Sequence, residues 1–190
     1  MNMRRKLIVL LAIATLVSIV NASVFVYYPI NLTIRPQEPP VVFESGSNAG
    51  QRDLWGGIIT VNIGDGGTSL SIEVHPTLQR NYYYDIVKIK NNDDNNAYYL
   101  KFRVITPISD ERVSAAYLII GGDYSKKIDL MQDTLQPDEW FTLSAGSELR
   151  VDLYLVLTGY TGGDITVKVD LIYSTTNTET NTEVPPEPPT

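Results

Sequence analysis

Few side chains in this 190-residue chain have the types and spacing to do chemistry. There is one histidine, His75, and no cysteine, so a nucleophile activated by an imidazole base would have to be built around that single ring. His75 is followed by Pro76, and no Gly-x-Ser-x-Gly elbow, His-Glu-x-x-His motif or glycine-rich phosphate loop accompanies it. A lone histidine near a strand end reads as structural. Two carboxylate pairs, Asp110-Glu111 and Asp138-Glu139, have the residue types of a glycosidase, but adjacent acids on loops read more simply as solvated surface. The expectation is a chain with no catalytic residue, no metal and no cofactor.

The remaining polar motifs have plainer readings beside their chemical ones. The run Asn91-Asn92-Asp93-Asp94-Asn95-Asn96 is dense in the oxygen ligands calcium prefers, yet it lacks the alternate spacing of a calcium loop. Asn and Asp tolerate left-handed backbone, so a hairpin turn accounts for it. Asn31-Leu32-Thr33 is an N-glycosylation sequon. Twelve tyrosines include the runs Tyr27-Tyr28, Tyr82-Tyr83-Tyr84 and Tyr98-Tyr99. On a strand, neighbours face opposite sides, so each run offers rings both inward and outward. Outward rings suit an interface or a surface glycan.

The elements that must position these groups begin with an export signal. Arg4, Arg5 and Lys6 precede an apolar run from Leu7 to Val20, and Val20-Asn21-Ala22 forms a small-residue cleavage site. Cleavage between Ala22 and Ser23 leaves an extracellular product. The run is shorter than the ~20 residues of a membrane-spanning helix, so the mature chain is expected to have no membrane span. The net charge is −7; removing residues 1–22 takes away three positive charges and no negative one, leaving −10. With no basic stripe, nucleic acid is not an expected partner. The length suits one domain, and without cysteine it must hold together without disulfides.

Directly behind the cleavage site lies a segment of strand period. Val24, Val26, Tyr28, Ile30, Leu32 and Ile34 fall on one side, and Phe25, Tyr27, Pro29, Asn31, Thr33 and Arg35 on the other. An apolar stripe at a new terminus needs a groove to lie in, and Asn31 falls on the face opposite it. Residues 35–40, with three prolines, predict a stiff extended connector. From Val41 to Tyr173 the chain reads as about ten short strands, among them Tyr84 to Lys90, Val113 to Ile120, Ser125 to Met131, Trp140 to Leu143 and Leu149 to Leu157, with glycine-rich turns. Alternation is cleanest at Leu149, Val151, Leu153, Leu155 and Leu157. The fold expected is all-β, an antiparallel jelly-roll or immunoglobulin-like sandwich. Residues 174–190, rich in Thr, Asn, Glu and Pro, are expected to be a disordered tail.

Three stretches resemble a known family. They are Phe43-Glu-Ser-Gly-Ser-Asn-Ala49, Ser69 through His75-Pro76 to Tyr84 through Asn91, and Leu135-Gln-Pro-Asp-Glu139 leading into Leu149 to Leu157. With the signal and the strand behind it, they are similar to the exported filament subunits of thermophilic archaea, the bundling pili and threads, which are related to TasA and camelysin biofilm-fibre proteins. The resemblance implies a jelly-roll subunit that forms a homopolymer by donor-strand complementation in cell adhesion or biofilm. It implies Val24, Val26, Tyr28, Ile30, Leu32 and Ile34 as donor plugs. The competing expectations are a monomeric secreted module that binds surface glycans, its N-terminal strand completing its own sandwich, and a secreted hydrolase.

Overall fold

The computed structural model describes residues 2–20, 27–160 and 163–178. It divides into two units, residues 1–37 and 38–190. In the first, helix α1 spans Met3–Val20, the basic and apolar stretch that the sequence reads as an export signal. No helix among the described residues is long and apolar enough to cross a membrane. Residues 27–37 of this unit have no regular secondary structure.

The second unit is an antiparallel all-β sandwich, with ten strands among the described residues. Its larger sheet runs in the order β1 (Val41–Ser45), β4 (Gln79–Asn91), β9 (Glu148–Leu157), β6 (Val113–Ile120) and β7 (Ile128–Asp129). The opposing layer is in two pieces. One is a three-stranded sheet with β5 (Tyr98–Thr106) between β10 (Lys168–Ser174) and β8 (Leu135–Leu143); the other is a hairpin of β2 (Thr60–Gly64) and β3 (Ser69–Glu73).

The period-two runs place their alternate residues in one core. Val87 and Ile89 of β4, Leu100 and Val104 of β5, Ile120 of β6 and Leu143 of β8 are all fully buried and belong to a single apolar cluster. Burying each such side chain contributes about 1.5–3 kcal/mol. The Asn-rich loop is not the hairpin turn its composition suggested: β4 and β5 belong to different sheets, and the loop carries the chain from one to the other. The Asn91 amide, itself buried, donates to the carbonyls of Asn96 (2.7 Å) and Ser144 (3.0 Å). Asp93 accepts from the backbone N–H groups of Asn95 and Asn96, the Asn96 side chain and the Tyr98 hydroxyl. Those bonds, the Asn96 side-chain bond foremost, hold its carboxyl below the usual range.

Three strand boundaries differ from the sequence reading, each for a local reason. Strand β4 starts at Gln79 rather than near Tyr84, passing through an irregularity between Tyr83 and Val87. Asp85 sits there at φ 44°, with its carboxylate accepting from Ser47 N–H and its own N–H donating to Asp152. Gly46 is required beside it, because a Cβ at that position would overlap the Asp85 carbonyl. The strand expected over Ser125 to Met131 shrinks to Ile128–Asp129. Asp123 caps a single 3-10 turn, Tyr124–Lys126, by accepting from Ser125 N–H at 2.9 Å. Strand β8 reaches back to Leu135 through Pro137, which an edge strand tolerates.

Candidate functional site: an open groove between two strand edges

The second layer of the sandwich lacks continuity, and the gap is a groove of about 1180 Å³. Strands β10 and β3 form its walls. Each has one ladder partner among the described residues, β5 and β2 respectively, so each keeps a row of backbone N–H and C=O groups unmatched on its other side. Consecutive residues line the groove on the β10 side, from Val169 to Ser174, and nearly so on the β3 side, from Gly67 to Pro76. A strand that turned a face to the groove would contribute only every second residue; consecutive lining is the mark of an edge.

Alternate residues on these walls are apolar and only half-buried. They are Leu70, Ile72 and Val74 on one side and Ile165, Val167, Val169 and Leu171 on the other. Leu153, Leu155 and Leu157 of β9, with Val113 of β6, complete the lining from the opposite sheet. The site can therefore accept an extended chain, offering main-chain bonds on two sides and apolar pockets at period two.

Arg112 stands at its margin. Arg112 grips Asp110 with two bonds, Nε to Oδ1 at 2.9 Å and Nη2 to Oδ2 at 2.6 Å. This guanidinium, helped by the Arg112 backbone N–H, pulls the Asp110 carboxyl down to about 2. Asp110 is thus a structural counter-ion, and its pairing leaves it unsuited to general acid work. Glu139, 82 % exposed, lies 3.4 Å from Lys126 Nζ.

His75 lines the groove beside β3. Its Nδ1 lies 3.0 Å from Asp53 Oδ2, and its Nε2 3.5 Å from Glu73 Oε1. Asp53, with a side chain 1 % exposed, also accepts from the backbone N–H groups of His75 and Trp55. The ring of Trp55 stacks on that of His75 with centroids 6.3 Å apart, and Gly57 leaves room for the imidazole that a Cβ would invade. The arrangement folds the 53–57 loop onto β3. Among the described residues the imidazole contacts carboxylates rather than a hydroxyl nucleophile.

Of the residues the sequence singled out, Tyr28, Ile30, Leu32 and Ile34 are 83, 89, 80 and 76 % exposed. They carry their apolar stripe on a segment without regular structure. Asn31 is exposed among them. Ala22, Ser23, Val24 and Val26 lie outside the described residues, as do positions 179–190 of the tail. On the strands the tyrosine runs divide as their geometry requires, with Tyr83 and Tyr98 buried and Tyr82 and Tyr84 facing outward, whereas Tyr27 and Tyr28, on no strand, are both exposed. Burial, then the charge of Asp53, pushes the Tyr83 hydroxyl pKa up. The sequence shows the alternation of Leu70, Ile72 and Val74 and that of Val167, Val169 and Leu171, but not that the two strands face each other across a groove. In comparisons with known proteins, no family model matches the chain and no curated protein matches it.

Proposed function

We propose that the chain is the structural subunit of an extracellular filament, joined by donor-strand complementation and serving cell contact, adhesion or biofilm. It carries no catalysis of its own. The observation that supports this reading is the open groove between β10 and β3, whose walls alternate apolar residues at the period of the exposed stripe. Residues 23–34 of one copy enter the groove of the next, pairing with both edges and restoring a continuous second layer. Tyr28, Ile30, Leu32 and Ile34, with Val24 and Val26, fill the pockets, each contributing about 1.5–3 kcal/mol on burial. Ordering of the segment offsets part of this.

Pro29 fits such a joint at a cost confined to one wall. In a strand, successive residues direct their main-chain polar groups to alternate sides, so the N–H that Pro29 lacks is missing only from the ladder that odd-numbered residues make. Asn31 shares that odd-numbered set, and its side chain points away from the plugs. A head-to-tail contact of this kind does not close, so it propagates as a fibre. The reading coincides with what the resemblance to archaeal bundling pili and threads implies.

Electron microscopy and sedimentation of the mature chain starting at Ser23 test it. Filaments that vanish on deletion of residues 23–34, leaving a folded monomer, are the expected result. Monomers alone, with residues 23–34 paired in their own groove, would sink the proposal.

A further inference from the structure

The groove has two unlike ends. One is where the connector enters the domain: Pro39 lines it, the Pro40 carbonyl accepts from Asn92 N–H, and Gly67 lies so close to Val42 that a Cβ would overlap that side chain. From there β3 runs away through Glu73 towards His75, and the chain arrives at Gln79, the opposite end of β4 from Asn91. Strand β10 runs the other way. Its Lys168 pairs with Thr106 at the end of β5, and its Ser174 with Tyr99 near the start, just past the loop that holds Asn92.

The acidic lining gathers away from the connector. Glu73, with a side chain 70 % exposed, lies 3.5 Å from His75 Nε2. Asp164, also exposed, follows Gly163, whose carbonyl accepts from Arg112, and Arg112 is itself engaged by Asp110. Asp170 is exposed on the same half of β10. At the connector end the walls are Thr68, Ser69 and Ser174, without charge. Arg35 is the sole charged side chain in residues 23–35, and it shares the odd-numbered side with Asn31, away from the plugs. Glu73 is likewise exposed between half-buried Ile72 and Val74.

We propose that the donor strand runs away from the connector of the copy that receives it, parallel to β3 and antiparallel to β10. Ile30, Leu32 and Ile34 then lie beside Leu70, Ile72 and Val74, and Arg35 reaches the Glu73 carboxylate. This orientation rests on the donor-strand reading proposed above, and adds what decides between a neighbour's strand and the chain's own.

Spacing and charge agree on it. Three exposed plugs at period two meet three half-buried residues at period two. Arg35 follows on the outer side, diagonal to Glu73 at about 8 Å between backbones, a gap that a long side chain bridges. The reverse orientation would carry Arg35 to the uncharged end.

The same orientation forbids a chain from filling its own groove. Val74 is about 17 Å along β3 from Ser69, and Pro39 stands three residues further out than Val42, against which Gly67 lies. The five steps from Ile34 to Pro39 reach at most about 18 Å, and they would have to run back along a groove already filled. In the reverse orientation Ile34 would come to the connector end, next to its own Pro39, and the monomer would close on itself. Strand direction thus selects polymer over monomer.

The chain has no cysteine, so paired substitutions report the orientation without background. Two variants of the mature chain starting at Ser23 share Ile34→Cys, one with Val74→Cys and the other with Leu70→Cys, and are oxidised as they assemble. Those two wall positions are about 13 Å apart, beyond the reach of one disulfide. Denaturing gels without reductant should show a ladder of covalent oligomers from the Val74→Cys variant and none from the Leu70→Cys variant. Adding Glu73→Lys should cut the yield about threefold, the scale of an exposed ion pair, and adding Arg35→Glu to it should restore the ladder. A ladder from the Leu70→Cys variant instead, or a yield indifferent to Glu73→Lys, overturns the orientation and leaves the donor strand in place. An intramolecular bond in either variant, or no crosslink in chains that circular dichroism shows to be folded, overturns the donor-strand joint as well.

Discussion

The two layers of the sandwich are made from the same kind of sequence and end in different states. In the five-stranded sheet, β4, β9 and β6 are each paired on both sides, and inward residues such as Val87, Ile89 and Ala116 have no exposure at all. In the other layer only β5 is flanked on both sides, and its Leu100 and Val104 are equally buried. Its neighbours across the gap, β10 and β3, alternate apolar and polar residues just as regularly, yet Val169, Leu171, Leu70 and Ile72 stay half-buried. Period two decides which face of a strand turns inward; a neighbouring strand decides whether that face is sealed. The half-buried rows therefore mark where an added strand would seal the layer, as the proposed joint requires.

The strongest way to break the closed layer is through its buried charge. Asp152, fully buried, accepts from the Tyr82 hydroxyl (2.7 Å) and the Asp85 N–H (2.7 Å) and pairs with Arg150. Asp152→Ala strands all three partners and should cost about 3–5 kcal/mol in urea denaturation. Next comes a matched pair of truncations. Ile89→Ala should cost about 2–5 kcal/mol, in monomer and polymer alike, while Leu70→Ala should cost about 1 kcal/mol in the monomer and more once the groove is filled. Equal costs in the monomer would abolish the distinction between the layers.

A third experiment fills the gap directly. A peptide of residues 24–34 added at about 100 times its Kd to the chain lacking residues 23–34 should raise the unfolding free energy by about 2.7 kcal/mol. A version with Asp at positions 30 and 32 should leave it unchanged. The smallest expected effect is from acid. The Asp110 carboxyl lies at about 2 when folded, below its ordinary 3.8, so its contribution is complete above about pH 4. It is lost as the pH falls through about 2. Amide exchange at Val113, which donates to the Asp110 carbonyl, should quicken over that window, and Asp110→Asn should remove the dependence.

Much of this architecture was legible because it depends on short-range pattern. Leu149 to Leu157 and Val113 to Ile120 appear as strands nearly at the expected bounds, since burial on one face enforces alternation. The polar run Gln79-Arg80-Asn81 hid the first third of β4: such a run reads as a loop, and only its pairing with Leu155 to Leu157, distant in sequence, makes it a strand. The groove was illegible for a related reason. Its walls are about a hundred residues apart, and nothing in either wall alone says that its free edge faces the other. A row of tyrosines across the five-stranded sheet, Tyr82, Tyr154 and Tyr117, likewise depends on the register of three strands.

Strand β1 has a mechanical consequence for any polymer joined as proposed. The proline connector reaches the domain at Pro40, whose carbonyl accepts from Asn92 N–H at 2.7 Å, and the next residue opens the five-pair register of β1 with β4. Tension drawn through the connector thus arrives along the axis of a strand at its first bonded residue. All five pairs, from Val41–Asn91 to Ser45–Val87, resist it in shear together instead of peeling one by one. The subunit would bear load as a lap joint does, with strength that comes from overlap and needs no covalent crosslink.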